Sequence, residues 1–293
     1  MRVEFLKALL FGILEGITEW LPVSSTGHII LLDRFLHLNA LGEISTEFSE
    51  AFSELFLVVI QLGAVMAVGI RFFHKIDPFG RGKTVEERRV TRRLYGRLVL
   101  SGIPAALCGI VGDFIVEHIT GKDIDTWLYS GTTVACMLIL YGVFFMIPEK
   151  RLPRLSLPVL DVYNVGAGRA FAIGCFQALS IVPGTSRSGA TILGGMMMGL
   201  SRTAAAEYSF LLAIPTMAGA SLLKALRFFS YVLESGVTVP LSAYTVLFVG
   251  TATAFVVSLF VLDFLLDFVK KHSFLPFGVY RILLGIAVLF GQT

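Results

Sequence analysis

The stretch EGITEWLPVSSTGH, residues 15–28, places ionisable side chains within an otherwise apolar region. Glu15 and Glu19 are four residues apart and so share one helix face. Pro22 ends that helix, and the Ser-Ser-Thr run after it is typical of a new helix N-terminus, with His28 one turn inside. This pattern predicts two half-helices separated by a polar break.

The composition indicates that this break lies in a membrane protein. Of the 293 residues, 55% are hydrophobic and only 15% are charged, whereas a soluble domain carries roughly 25% charged residues. Disordered, collagen-like and cysteine-stapled secreted proteins are excluded, since three cysteines cannot form a framework. We interpret these cysteines as small buried hydrophobic residues: Cys108, Cys136 and Cys175.

Six segments contain the roughly 20 mostly apolar residues that are needed to cross a bilayer. Residues 5–38 and 167–200 are also apolar, but Pro, Gly, Ser and charged residues interrupt them, so we interpret each as a re-entrant helix pair around an internal cavity. We therefore predict an all-α polytopic membrane protein, a single domain over residues 1–293, with six spanning helices plus two re-entrant helix pairs. The predicted spans are 52–73, 97–116, 124–147, 204–229, 240–266 and 274–290.

The charge pattern predicts which loops are cytoplasmic. Nine of the 24 basic residues lie between Arg71 and Arg97, so residues 74–96 are predicted to be a basic cytoplasmic loop. Residues 148–169 and the turn at 270–271 are also basic and belong to the same side. Because the basic charge follows this loop pattern, we expect no nucleic-acid partner. The remaining loops are acidic or nearly uncharged and are placed outside; they contain Glu43, Glu47, Glu50, Glu117, Asp123, Asp125 and Glu234.

Sliding the sequence by 162 positions aligns the first break with a second one, PGTSRSGAT at residues 183–191. We predict two repeats, residues 1–147 and 166–293, each with one re-entrant pair followed by three spans. Because three is odd, the second repeat is inserted upside down, and such inverted-topology repeats bring broken helices together near the midplane. The aligned pairs are Gly12 with Gly174, Glu15 with Gln177, Ser24 with Ser186, Thr26 with Ser188 and Gly27 with Gly189.

The second break carries the residues of a phosphate cradle. Ser186 and Ser188 offer hydroxyl groups, and the guanidinium of Arg187 can bind phosphate through two parallel hydrogen bonds. The helix N-terminus that starts here attracts anions as well. The first break adds two carboxylates and His28, and ionisable side chains at membrane depth are functional by default. An anion held between the breaks would have donors, a candidate nucleophile and an acid–base group within reach.

The two breaks resemble the signature regions of the bacterial undecaprenyl-diphosphate phosphatase family, also called bacitracin-resistance proteins. Glu15 and Glu19 match the family's Glu/Gln-xxx-Glu motif, and residues 24–28 match its Ser-Ser-Thr-Gly-His stretch. Residues 183–191 match its Pro-Gly-x-Ser-Arg-Ser-x-x-Thr motif, and residues 274–281 match its closing Phe-x-Pro-Phe-x-x-Tyr-Arg segment. No motif position departs from the family pattern, and the resemblance covers the whole chain.

The resemblance implies a multi-pass enzyme of the bacterial inner (plasma) membrane whose active site faces the periplasm or exterior. It would hydrolyse the lipid undecaprenyl diphosphate to undecaprenyl phosphate and inorganic phosphate, which recycles a carrier for cell-wall synthesis. A divalent cation, Mg²⁺ or Ca²⁺, is expected as cofactor, since Glu15 and Glu19 alone would repel a diphosphate. Membrane lipid is the other expected partner, and a homodimer is left open.

The same resemblance suggests roles for the polar residues. We expect Ser25 to attack phosphorus, with His28 as general base and later acid. We expect Arg187 to stabilise the transition state, and Glu19 to assist proton transfer or to share a metal ion with Glu15. Direct attack by His28, or by a water that His28 activates, is left open. The residues expected to bind the phosphate are Ser24, Thr26, Gly184, Ser186, Arg187, Ser188 and Thr191.

A lipid-phosphate transporter or flippase is the main alternative function, because inverted repeats with broken helices suit alternating access. Transport, however, does not need a hydroxyl, an imidazole and paired carboxylates around one phosphate position. A purely structural scaffold would have no reason to place Glu15, Glu19, His28 and Arg187 at membrane depth. The hydrolase interpretation accounts for all of these residues.

Overall fold

The computed structural model describes residues 2–36, 46–121, 128, 130–147 and 159–291. In these ranges the chain is helical and contains no β-strand, although Val159 and Leu200 form one isolated bridge. Two 3-10 turns lie at Val162–Asn164 and Leu179–Ile181. The α-helices are α1 (Arg2–Thr18), α2 (Ser25–Phe35), α3 (Thr46–Arg71), α4 (Phe73–Ile76), α5 (Val85–Thr120), α6 (Gly131–Met146), α7 (Ala167–Ala178), α8 (Arg187–Met197), α9 (Arg202–Ser235), α10 (Leu241–Lys271) and α11 (Leu275–Phe290).

Several helices are long and apolar enough to cross a membrane, which confirms an all-helical polytopic membrane protein. Helices α3, α5, α9 and α10 meet this criterion and contain most of four predicted spans, 52–73, 97–116, 204–229 and 240–266. The other two predicted spans contain α6 and α11, which have 16 residues each. At 1.5 Å per residue these helices are about 24 Å long, shorter than the roughly 30 Å hydrocarbon core. Some predicted loop residues lie outside the described ranges, namely Glu43, Asp123, Asp125 and residues 148–158.

Both interrupted segments are broken into two helices, as the sequence predicts. Helix α1 ends at Thr18 and α2 begins at Ser25, while α7 ends at Ala178 and α8 begins at Arg187. The half-helices after the breaks, α2 and α8, have 11 residues each. The polar residues of both motifs therefore lie at helix ends, where backbone groups are free to bind other partners.

The predicted basic loop 74–96 differs from the structure in its second half. Helix α5 begins at Val85, so this helix carries the basic residues from position 88 onward. Thr84 and Glu87 form a reciprocal capping box at its N-terminus, which stabilises a helix start at this point. Arginine is also a good helix former, so a dense basic run does not by itself indicate a loop.

The half-helices that precede the breaks pack against long helices of the other half of the chain. Helix α1 lies along α10, and α7 lies along α5; α3 likewise packs on α9, and α6 on α11. Glycine allows the helices of the first two pairs to approach each other closely. A Cβ on Gly12 would lie 2.5 Å from the carbonyl oxygen of Gly250, and a Cβ on Gly174 would lie 2.3 Å from that of Ser101. These two glycines are one of the pairs that the 162-residue shift aligns.

The outer surface of the long helices is apolar, as contact with lipid requires. Phe114, Phe248 and Phe260 are each at least 70% exposed. The prediction that the three cysteines are buried was wrong, because all of them are exposed: Cys108, Cys136 and Cys175. In a bilayer the surroundings are as apolar as the interior, so a small hydrophobic residue gains no transfer energy from facing inward.

The close approach of α7 to α5 predicts that Gly174→Ala destabilises the protein. The new methyl group would meet the backbone of Ser101, which cannot rotate away, and overpacking of this kind typically costs about 1–3 kcal/mol. The matched control is Gly168→Ala in the same helix, where a Cβ has no atom within 4 Å. Thermal unfolding in detergent should show a lower midpoint for Gly174→Ala alone; equal midpoints for both variants would contradict this packing.

Candidate active site

Each break places a serine in a backbone conformation that serine rarely adopts. Ser24 precedes α2 with φ +71°, and Ser186 precedes α8 with φ +71°. They are the only non-glycine residues with positive φ in the part of the chain that the structure describes. Such conformations cost on the order of 1–3 kcal/mol each and cluster at functional sites. The 162-residue shift aligns these two serines, so both breaks contain the same strained backbone before the second helix, although only Ser186 also caps its helix with the side chain.

The two breaks are joined by a buried ion pair between Glu19 and Arg187. Nη2 and Nε of Arg187 donate to Oε1 of Glu19 at 3.1 and 3.3 Å, and Nη1 donates to the carbonyl of Ser209 at 2.9 Å. The Arg187 guanidinium also lies over the ring of Trp20, 5.7 Å from its centroid. Two of the five guanidinium N–H groups are left for another anion. The carboxylate of Glu19 and the guanidinium of Arg187 therefore lie together, as predicted. They bind each other directly.

Ser25 hydrogen-bonds Glu19 rather than His28. Its hydroxyl donates to Oε2 of Glu19 at 3.2 Å, so the two oxygens of this carboxylate serve the two breaks separately. A carboxylate within hydrogen-bond reach of a hydroxyl can take its proton. Thr26, the next residue, lies in the first turn of α2 and is half-buried.

His28 is held by the backbone carbonyl of Ser24, four residues earlier, and by Tyr280 on helix α11. Its Nδ1 lies 2.7 Å from the carbonyl oxygen of Ser24, and its Nε2 lies 2.6 Å from the hydroxyl of Tyr280. A carbonyl oxygen only accepts, so Nδ1 carries the proton and Nε2 is the acceptor in the neutral ring. The predicted base of the site therefore has a fixed tautomer.

The hydroxyl groups of the second break mostly bind the protein itself. Ser186 Oγ accepts from the backbone N–H of Gly189 at 3.1 Å and lies 3.2 Å from Ser188 Oγ. Ser188 Oγ also contacts the carbonyl of Leu21 at 3.2 Å, and Thr191 Oγ1 lies 2.6 Å from Ser209 Oγ. Ser188 and Thr191 thus connect α8 to the first break and to α9.

Gly184 brings the second break close to α6. Its φ of +90° is a conformation that favours glycine, and a Cβ there would lie 2.5 Å from the carbonyl oxygen of Val134. Because glycine has no side chain, the predicted role of Gly184 in phosphate binding depends on its backbone. The close packing against α6 fixes the position of that backbone.

Arg281 is a site residue that was not among the predicted ones. It is fully buried, and its guanidinium donates to the carbonyls of Pro22, Gly184 and Thr185 at 3.1, 2.8 and 2.9 Å. These carbonyls belong to both breaks. A signal for Arg281 exists in the sequence, since it is an ionisable residue within the predicted span 274–290.

Glu15 has the surroundings of a metal ligand. It is fully buried, neither carboxylate oxygen has a hydrogen-bond donor among the described residues, and Glu19 and Arg187 are its electrostatic neighbours. The described residues contain no group of three His, Cys, Asp or Glu side chains that could hold a metal. Two carboxylates nevertheless fit Mg²⁺, which usually takes one or two carboxylates and completes its shell with phosphate oxygens and water.

The sequence matches known proteins along its full length. Residues 8–287 match the family described as bacitracin resistance protein BacA. A protein named undecaprenyl-diphosphatase from Streptococcus mutans serotype c is 46% identical over 287 residues, covering 98% of this chain and 95% of that protein. Proteins of the same name from Streptococcus thermophilus and Streptococcus pyogenes serotype M5 are 45% and 46% identical, cover 98% of this chain, and are themselves covered to 93% and 96%. The chain therefore belongs to the bacitracin resistance protein BacA family.

Proposed function

We propose that this chain hydrolyses undecaprenyl diphosphate to undecaprenyl phosphate and inorganic phosphate. This reaction recycles the lipid carrier for cell-wall synthesis and gives bacitracin resistance. The family description and the names of the relatives support the activity. The observation that carries it to this chain is the carboxylate of Glu19, which contacts both Arg187 and Ser25. A phosphate-binding guanidinium and a hydroxyl nucleophile thus flank one proton acceptor.

The terminal phosphate of the substrate would bind between the two breaks. Arg187 offers its two remaining N–H groups, and the backbone N–H groups at the start of α8 add further donors together with Ser186. Ser24 and Thr26 face the same phosphate from the first break. Ser188, Thr191 and Gly184 act mainly by holding this arrangement. The apolar polyprenyl chain would extend into the bilayer, which makes surrounding lipid its natural solvent.

The reaction proceeds in two displacements. Ser25 Oγ attacks the terminal phosphorus while its proton passes to Glu19 Oε2, and the bond to undecaprenyl phosphate breaks to leave phosphoserine. Water then attacks the phosphoserine and gives its proton to His28; Ser25 regains a proton from Glu19 as inorganic phosphate leaves. Arg187 stabilises the charge on the phosphoryl oxygens in both steps.

A divalent cation, Mg²⁺ or Ca²⁺, is part of this proposal. Glu15 and Glu19 would hold it, because the unpaired oxygens of Glu15 are buried beside the second carboxylate. The cation would supply charge neutralisation between the carboxylates and the diphosphate. The protein's own residues carry the nucleophile and the proton acceptors.

The proposed topology has six spans and two re-entrant pairs, arranged as inverted repeats over residues 1–147 and 166–293. The reciprocal packing of α1 on α10 and of α7 on α5 supports this arrangement, as do the matching backbone angles of Ser24 and Ser186. The basic residues from Arg71 to Arg97 would lie in the cytoplasm, and the active site would open to the exterior, where bacitracin resistance is needed.

Labelling of introduced cysteines tests this topology. After the three native cysteines are replaced by serine, Glu47→Cys and Glu234→Cys should react with an impermeant thiol reagent on intact cells, because both positions are exposed and lie in predicted outer loops. Arg89→Cys, which is also exposed, should react only after the membrane is opened. Labelling at position 89 on intact cells would exclude the proposed orientation.

Phosphate release separates the hydrolase from a transporter. We expect the protein purified in detergent, where no compartments exist, to release phosphate from undecaprenyl diphosphate, and Ser25→Ala to abolish the release because the nucleophile is lost. Ser235→Ala, at an exposed position far along α9, is the matched control and should keep full activity. Labelled substrate should also leave an acid-stable phosphoserine in the parent protein.

Other results of that experiment would point elsewhere. Release at a near-normal rate by Ser25→Ala would eliminate the serine route. An acid-labile adduct that vanishes in His28→Ala would make His28 the nucleophile. If the purified parent protein binds the lipid but releases no phosphate under any metal condition, a transporter or flippase becomes the better interpretation.

Removal of divalent cations tests the metal site. Because Glu15 and Glu19 oppose an anionic substrate, chelation with EDTA should abolish phosphate release, and added Mg²⁺ or Ca²⁺ should restore it. Glu15→Gln should require more cation for half-maximal activity, whereas Glu47→Gln, on the exposed start of α3, should not. Full activity after exhaustive chelation would leave the carboxylates with acid–base roles only.

A further inference from the structure

The hydroxyl of Tyr280 forms a hydrogen bond with Nε2 of His28, the nitrogen through which this histidine would act as a base. Because Nδ1 donates to the carbonyl of Ser24, the lone pair available for catalysis lies on Nε2. The hydroxyl of Tyr280 lies 2.6 Å from this atom, and the two rings are within 12° of parallel with centroids 5.6 Å apart. In the neutral state of the pair, the phenol donates its proton to the imidazole.

The position of Tyr280 is fixed by the residue that follows it. Arg281 is fully buried and binds carbonyls of both breaks, so the second turn of α11 cannot move independently of the site. Tyr280 itself is 45% exposed, and its contact with His28 lies at an accessible part of the structure. The hydroxyl is therefore held on one side by His28, and the exposed part of the side chain is where the attacking water would approach.

We propose that Tyr280 is the proton relay of His28. The attacking water gives a proton to the phenol oxygen of Tyr280 while the phenol passes its own proton to Nε2. One O–H bond forms and one breaks at Tyr280, which stays neutral, and His28 becomes the imidazolium that is stabilised by the Ser24 carbonyl. This inference rests on the proposed hydrolysis and assigns to it a residue outside both breaks.

The relay also explains why the strained conformation of Ser24 is retained. A carbonyl at this point, before the first turn of α2, fixes the less common protonation at Nδ1 and so leaves Nε2 for Tyr280. If Nε2 carried the proton instead, the ring would donate to Tyr280, and its remaining acceptor, Nδ1, would face the Ser24 carbonyl oxygen, which has no proton to give. The backbone of the first break and the phenol of α11 thus specify one tautomer together.

Tyr280→Phe tests the relay, with Tyr244→Phe on the exposed face of α10 as the matched control. Tyr280→Phe should lower kcat about 10-fold or more with little change in KM, since it removes part of the 10²–10⁴-fold effect of general acid–base catalysis. In the His28→Ala background the same change should cost nothing further, because residues that act as a unit are not additive. Tyr244→Phe should keep the parent kcat.

A second measurement needs no substrate and so separates this inference from the proposed function. With ¹⁵N-labelled histidine, and with the signals of His28 identified by their loss in His28→Ala, the parent protein should show a protonated Nδ1 and an unprotonated Nε2. Tyr280→Phe should shift the Nε2 signal, and Tyr244→Phe should not. An Nε2–H tautomer in the parent, an unchanged kcat in Tyr280→Phe or an additive loss in the double variant would each overturn the relay. If the parent protein releases no phosphate while the tautomer is as expected, it is the proposed function that fails.

Discussion

The buried ion pair between Glu19 and Arg187 is the interaction on which the rest of the site depends. Its partners are 168 residues apart and come from different breaks, and both side chains are almost inaccessible to water. Two charges in such a place are expensive to desolvate, and loss of one partner typically costs about 3–5 kcal/mol because the other is left unpaired. The pair therefore disfavours any arrangement in which the two breaks separate.

A broken helix creates a second requirement, because it leaves backbone carbonyls without partners in a region where water is scarce. Arg281 meets this requirement for Pro22, Gly184 and Thr185 at once. One guanidinium from α11 thus satisfies carbonyls of both breaks, and its position next to Tyr280 transmits the same constraint to His28. Helix α11 is thus a third structural element of the site, beside the two breaks that the motifs mark.

The sequence predicts the breaks and their convergence well because both follow from local chemistry. Pro22 and the Ser-Ser-Thr run after it end one helix and begin another in any context, and intramembrane charges such as Glu19 and Arg187 need each other. It predicts less well what depends on helix rotation and rotamers. The pairing of Ser25 with Glu19 and of His28 with Tyr280 belongs to this second kind. The first requires the angle between α1 and α2, and the second requires the angle between α2 and α11.

The same distinction explains the errors outside the site. The exposed cysteines were misjudged because a rule from soluble proteins was applied to a lipid-facing surface.

Separate partners for Ser25 and His28 suit a reaction with two displacements. The first displacement removes a proton from a serine, and the second removes one from water after the leaving lipid phosphate has gone. A single base would have to lose its first proton before it could accept the second. In the proposed reaction Glu19 and His28 are two separate proton acceptors, and each has its own hydrogen-bond partner, Ser25 for Glu19 and Tyr280 for His28. The ion pair then has a chemical consequence as well as a structural one, because it holds the carboxylate of Glu19 beside both the Ser25 hydroxyl and the Arg187 guanidinium.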